Sequence, residues 1–224
     1  MINEEISAYV ESLAPPKHSL LLEMEQLAIR EHVPIMDGLS LNTMLAILRV
    51  KQPKQILEIG TAIGYSAIRL AEALPSTTIV TLERDEYRYE QAKRFIERAN
   101  LTERIIPYLV DAEHAVDLVS KHGLFDSMFI DAAKGKYQLF FEQYEPFLSE
   151  NGVMISDNIL FRGLVAQADV TKEPKRIQKL VEKIKRYNEW LSHHPNFHTS
   201  IVPVGDGIAC STRIKREEHD TQSK

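Results

Sequence analysis

The sequence has one cysteine, Cys210, so no internal disulfide can form, and no Cys/His spacing suited to zinc is present. No apolar run approaches the roughly 20 residues that a membrane-spanning helix needs. The opening Met1-Ile2-Asn3-Glu4-Glu5 is acidic where a secretory signal would be basic and then apolar. These absences predict a cytoplasmic chain without a membrane partner. Positive charge is in deficit: 27 Lys and Arg against 32 Asp and Glu leave a formal charge of -5, so bulk electrostatics do not favour nucleic acid. Internal repeats and low-complexity segments are lacking, which excludes solenoids and disordered linkers.

What remains is a chain of 224 residues, 44% hydrophobic and 26% charged, enough for one α/β domain with a substantial core. Asn3 is a candidate N-cap for a helix over 3–14, which Pro15-Pro16 stops. A second helix is expected over 19–32, with Leu20, Met24, Leu27 and Ala28 on one face. After a break at 33–38, a third carries Leu41, Met44, Leu45 and Leu48. Strands then alternate with helices: 55–60, 78–83, 105–110, 125–131 and 152–157 against helices at 65–74, 86–99, near 112–120, 137–148 and 174–191. Non-alternating apolar strands separated by helices predict a parallel sheet. Two extended runs, 198–204 and 208–214, meet at Gly205-Asp206-Gly207, a hairpin signal. The fold class is therefore α/β, a Rossmann-like doubly wound sheet, mostly parallel with a C-terminal antiparallel hairpin. One domain is expected over 1–217, with 1–50 as a helical cap and 218–224 as a polar tail.

The stretch Gln55 to Ser66 carries the first chemical signal. An apolar strand meets Glu58, then a turn flanked by Gly60 and Gly64, then a helix opening near Tyr65 and Ser66. A doubly wound sheet makes its ligand pocket at such a turn, where a helix N-terminus offers free N–H groups. The spacing is G-x-x-x-G, not the dinucleotide G-x-G-x-x-G, and a carboxylate before the turn suits a cation better than a pyrophosphate. Glu58, Glu83, Asp111 and Asp131 all fall at or just beyond strand ends, so they should face one crevice. Glu83 follows Glu58 by 25 positions, near the spacing at which an acidic residue bonds a ribose diol. Asp131 with Asp157 and Asn158 offers only oxygen ligands, which suits Mg²⁺ or Ca²⁺, although Asp-Asn is also a common turn pair. Lys134 sits on the loop above the same strand; partial burial would depress its pKa and let it act as a base.

Three motifs, Glu58-Ile59-Gly60-Thr61-Ala62-Ile63-Gly64-Tyr65-Ser66, Phe129-Ile130-Asp131-Ala132-Ala133-Lys134 and Ser156-Asp157-Asn158, resemble those of the metal-dependent catechol and caffeoyl-CoA O-methyltransferases. The resemblance spans nearly the whole chain and narrows to the bacterial branch that methylates 5-hydroxyuridine at the tRNA wobble position. It implies the seven-stranded class I methyltransferase fold, with S-adenosylmethionine and Mg²⁺ as cofactors. It places Glu58 and Gly60 near the methionine portion of S-adenosylmethionine, Tyr65 and Ser66 at the helix start with Ser66 on its carboxylate, and Glu83 on the ribose. Asp111 and Ala112 would flank the adenine, with Met36 at the pocket mouth and Asp131 between cofactor and metal. Asp131, Asp157 and Asn158 would hold Mg²⁺, Lys134 would be the base, and Arg162 would face the substrate where plant members carry asparagine. Related enzymes are often dimers, so a homodimer is expected.

The motifs alone do not choose the acceptor. A catechol and a 5-hydroxyuracil both present two adjacent oxygens to a cation. Lys172, Lys175, Arg176, Lys179, Lys183, Lys185 and Arg186, with Arg84, Arg88, Lys93, Arg94 and Arg98, could grip the phosphates of a tRNA anticodon loop. Interleaved Glu173, Glu182 and Glu189 equally suit a solvated helix face. The expected function is Mg-dependent methylation of tRNA 5-hydroxyuridine to 5-methoxyuridine. The alternatives are a small-molecule catechol-type O-methyltransferase and a non-catalytic S-adenosylmethionine-binding or NAD-binding Rossmann module.

Overall fold

The parallel strands form because their residues are apolar on both faces. In the computed structural model, which describes residues 4–215, β1 (Gln55–Ile59), β2 (Thr78–Glu83), β3 (Ile105–Leu109), β4 (Phe125–Ile130) and β5 (Leu148–Ser156) run parallel. β6 (Phe197–Val202) and β7 (Ile208–Arg213) close the sheet as an antiparallel hairpin, giving the order β3-β2-β1-β4-β5-β7-β6. Successive residues alternate between the faces. Ile56, Ile79, Phe129 and Ile155 pack on one side; Leu57, Val80, Met128 and Met154 pack on the other. This is the seven-stranded class I methyltransferase fold expected above.

On the first face lie α2 (Ser19–Glu31), α3 (Gly38–Lys51), α4 (Tyr65–Ala73) and α5 (Glu86–Arg98). Leu41, Met44, Leu45 and Leu48 of α3 are buried in the same cluster as the strand residues, so the N-terminal helices cover the sheet. α1 (Glu4–Ser12) instead leaves Ile6, Tyr9 and Val10 exposed, with Leu13 just beyond it. On the second face, α7 (Tyr137–Tyr144) and α8 (Lys175–Ser192) bury Phe140, Phe141, Tyr144, Val181, Ile184 and Leu191. α6 (Val116–Val119) is one short turn between two 3₁₀ segments, where a short helix near 112–120 was expected. Among the described residues, no helix is long and apolar enough to cross a membrane.

Other boundaries shift for local reasons. α7 stops at Tyr144 because Pro146 admits only a 3₁₀ turn over Glu145–Phe147. β5 begins at Leu148, earlier than expected, because Leu148 pairs with Phe125 before a register shift; regular pairing starts at Val153. The proposed cap at Asn3 and the polar tail lie outside the described residues.

The strand order reverses between β1 and β4, the place where doubly wound sheets open a crevice. Gly60 leaves β1 there with φ 106°, and a Cβ on it would lie 1.9 Å from the Asp131 carbonyl oxygen. Only glycine fits both the conformation and the space. Gly60→Ala should therefore cost about 2–4 kcal/mol, read as a lower urea midpoint at unchanged slope. A loss below about 0.5 kcal/mol would contradict this packing.

Candidate active site

The turn after β1 is tied down from below. The Gly60 and Thr61 amides donate to the Leu82 carbonyl at 3.0 and 3.2 Å, and Gly64 N donates to Thr61 O at 2.8 Å. Gly64 is left-handed and caps α4. Glu58 is completely buried on the α4 side, where the hydroxyls of Ser66 and Thr81 each donate to it at 2.5 Å. Thr81 in turn meets Thr61 at 2.6 Å. Burial pushes the Glu58 carboxyl up to about 7 against the pull of its two hydroxyl partners, with the Asp131 and Glu83 charges adding to the rise.

A narrow cleft is lined by Pro34, Ile35, Met36, Gly60, Thr61, Ala62, Tyr65, Ser66 and Asp131. It brings together five of the residues expected at the cofactor: Met36, Gly60, Tyr65, Ser66 and Asp131. Tyr65 turns its hydroxyl to Glu25, which with burial raises the phenol to about 12. Glu58 lies beneath this lining, not in it. Glu83 accepts from the Ala62, Arg84 and Asp85 amides at 2.8–2.9 Å, so its carboxylate braces both the glycine turn and the start of α5. Asp111 accepts from Glu113 N at 3.0 Å and lies 3.8 Å from Arg84, while the Ala112 carbonyl is held by Tyr144 and Gln143. These residues stand at the carboxyl ends of β2 and β3, along the same rim. The loop residues Pro34 and Ile35 were not expected here; the break at 33–38 was the only sign of them.

The second half of the site follows β4 and β5. Asp131 N donates to Ile59 O at 3.0 Å and Asp157 N to Ile130 O at 3.1 Å, which sets the two carboxylates side by side along the crevice. Both are pushed up by burial, and the Asp131 charge raises Asp157 further. Asn158 is left-handed at φ 61° and donates its amide nitrogen to Asp157 Oδ2 at 2.8 Å, so the oxygen is what it can offer a cation. Asp157 Oδ1 is buried with no hydrogen-bond partner among the described residues. The Tyr137 phenol is likewise buried and unpartnered, and burial together with both carboxylates raises it well above its ordinary value. Among the described residues, no three His, Cys, Asp or Glu side chains gather as a metal site; here the set is two carboxylates and a carboxamide. Orphaned oxygen at 1% exposure is costly unless a proton or a cation satisfies it, and an all-oxygen donor set fits a hard cation.

Lys134 is half-buried, and its Nζ lies 5.4 Å from the centre of the Phe161 ring. Burial lowers its pKa, while Asp131, Asp157 and Asp206 oppose the fall. Phe161 and Arg162 both have positive φ, 43° and 55°. Such strain in bulky residues concentrates at functional loops. Arg162 is exposed at the mouth.

The raised Glu58 pKa carries a testable sign. The folded state holds its proton up to about pH 7, whereas the unfolded chain ionises from its ordinary 4.5. Through Glu58, stability should fall as pH rises between those values by up to about 3 kcal/mol, in addition to the fall that the raised carboxyls of Asp131 and Asp157 contribute. Urea titrations of the cofactor-free protein should show the combined slope, and Glu58→Gln should show a shallower one. Equal slopes would contradict the buried-carboxyl assignment.

Comparison with known proteins agrees with this geometry. The O-methyltransferase family profile matches residues 4–214. The chain is 29% identical to a caffeoyl-CoA O-methyltransferase of Populus kitakamiensis, over 92% of this chain and 91% of that one. A candidate caffeoyl-CoA O-methyltransferase from Staphylococcus aureus superposes with TM-score 0.88 at 31% identity, covering 94% of this chain and 100% of the other. An O-methyltransferase from Bacillus cereus in complex with SAH superposes with TM-score 0.80 at 27% identity, covering 94% and 97%. The family profile covers nearly the whole described chain and the solved relatives share its fold: the chain belongs to the S-adenosylmethionine-dependent O-methyltransferases of the caffeoyl-CoA type.

Proposed function

We propose that the chain methylates a small aromatic acceptor bearing two adjacent oxygens, with a divalent cation, Mg²⁺ foremost, held by Asp131, Asp157 and Asn158. The observation that carries this reading is the buried, unpartnered Asp157 oxygen beside Asp131 and Lys134. The names of the relatives, caffeoyl-CoA and flavonoid O-methyltransferases among them, support a small phenolic acceptor. When bound, S-adenosylmethionine supplies an electrophilic methyl group and the cation supplies charge that favours an ionised acceptor hydroxyl.

The residues of the chain do the rest. Met36, Gly60, Tyr65 and Ser66 shape the donor cleft and fix where the methyl is presented. Glu58, under the turn, holds a proton that a bound cationic donor would favour releasing, setting negative charge below the donor. Lys134, its pKa lowered by burial, accepts the acceptor proton at Nζ. Phe161 covers that amine and limits water around it. Arg162, at the exposed mouth, contacts the part of the acceptor that projects outward.

A second reading, methylation of 5-hydroxyuridine in a tRNA anticodon loop, is favoured by one feature. Lys175, Arg176, Lys179 and Lys183 of α8 line a groove with Gly135, next to Lys134, and no carboxylate among the described residues pairs with them. The other basic stretch is partly neutralised: Arg98 is bidentate to Glu23 at 2.6–2.7 Å, and Lys93 pairs with Glu90.

Labelled S-adenosylmethionine offered with a caffeoyl ester, and separately with tRNA bearing 5-hydroxyuridine, ranks the two acceptors. We expect turnover of the catechol, abolished by chelator and reduced at least a hundredfold in Asp157→Ala, a loss in the range expected for a group acting on transition-state charge. Undiminished turnover in chelator would end the metal mechanism. A far higher kcat/KM for tRNA, lost on charge reversal at Lys175 and Arg176, would invert the ranking.

A further inference from the structure

The hairpin tip Gly205-Asp206-Gly207 does more than connect β6 to β7. On one side it meets the N-terminus of α3, whose cap is Asp37, next to Met36 of the donor cleft. Ser40 Oγ donates to the Val204 carbonyl at 3.1 Å, and a Cβ on Gly205 would lie 2.2 Å from Asp37 Oδ2. On the other side it holds the acceptor loop. Leu160 N and Phe161 N donate to the Asp206 carbonyl at 2.8 and 3.3 Å, Ile159 N donates to Gly207 O at 3.1 Å, and Arg162 N donates to Asp206 Oδ1 at 3.1 Å. A Cβ on Gly207 would lie 2.4 Å from Leu160 Cγ. Two glycines therefore let the hairpin tip touch both halves of the site, Val204 and Gly205 on the donor side and Asp206 on the acceptor loop. The loop it holds is the one with left-handed Asn158, Phe161 and Arg162, a conformation that needs outside support.

We propose that Asp206 is a positioning residue for methyl transfer: its side-chain carboxylate, by accepting from Arg162 N, holds loop 158–163 in the shape that seats the acceptor. The same carboxylate lies close enough to Lys134 to act on its charge, which places it at the reacting end of that loop. Its backbone carbonyl bonds to Leu160 and Phe161 do not depend on the side chain, so substitution tests the carboxylate alone. The proposal rests on the methyl-transfer reading of the site but not on which acceptor is used.

The test compares Asp206→Ala with Asp206→Asn, whose amide oxygen can still accept from Arg162 N. Two readouts are taken: amide exchange of the peptide over 158–163, and KM and kcat with whichever of catechol or 5-hydroxyuridine tRNA the wild type turns over. Asp206→Ala should speed exchange in that peptide and raise acceptor KM about tenfold, the loss of one charge-assisted hydrogen bond. Its affinity for S-adenosylhomocysteine should stay within about twofold, a shift well under the tenfold of one such bond. Asp206→Asn should restore most of both. Unchanged exchange and KM in Asp206→Ala would overturn the proposal, as would an Asp206→Asn variant as impaired as Asp206→Ala, or a parallel loss of S-adenosylhomocysteine affinity. If the wild type turns over neither acceptor, the methyl-transfer reading fails, and the exchange comparison still decides the role of Asp206.

Discussion

The contact on which the rest depends is the approach of Gly60 to the Asp131 carbonyl, closer than any side chain would allow. It occurs where β1 and β4 part, the point at which the strand order reverses. Because the two strand ends are pressed together, the glycine turn and the Asp131 carboxylate share one wall. Asp131 lines the donor cleft and also stands beside Asp157. A wider approach would separate the two half-sites and lose the fixed geometry that an in-line transfer needs.

That compactness has an electrostatic cost. Glu58, Asp131 and Asp157 are all drawn out of water, and each carboxyl is raised by that burial. Glu58 is answered locally by Ser66 and Thr81. Asp157 is answered on one oxygen by Asn158 and on the other by no hydrogen-bond partner among the described residues. A fold keeps such an arrangement where a ligand completes it. The proposed cationic donor and hard cation carry the charge that would meet that need, and burial also lowers the pKa of Lys134, the proposed proton acceptor.

Much of this was legible in the sequence because it follows from strand ends. Gly60, Gly64, Asp131, Asp157 and Asn158 sit where apolar runs stop, and a parallel sheet gathers such positions on one edge. The side-chain partners were less accessible. Glu58 reads as a group facing a ligand, yet Ser66 and Thr81, eight and 23 positions away, enclose it. Glu83 reads as a ribose ligand, and its carboxylate also braces Ala62. Gly205-Asp206-Gly207 reads as a hairpin turn only, because its contacts to 37–40 and 159–162 are long-range and carry no local pattern. The early start of β5 arises from a register shift against Phe125, which no single-strand periodicity encodes.

The central claim is that Asp131, Asp157 and Asn158 hold a divalent cation where the donor and acceptor halves meet. Titration with Mn²⁺, followed by electron paramagnetic resonance in the presence of S-adenosylhomocysteine, tests it without an acceptor. One tightly held ion per chain is expected, displaced by Mg²⁺ and weakened at least tenfold in Asp157→Asn, the range seen when a metal's ligand set is damaged. No bound ion, or equal binding by the variant, would contradict the account.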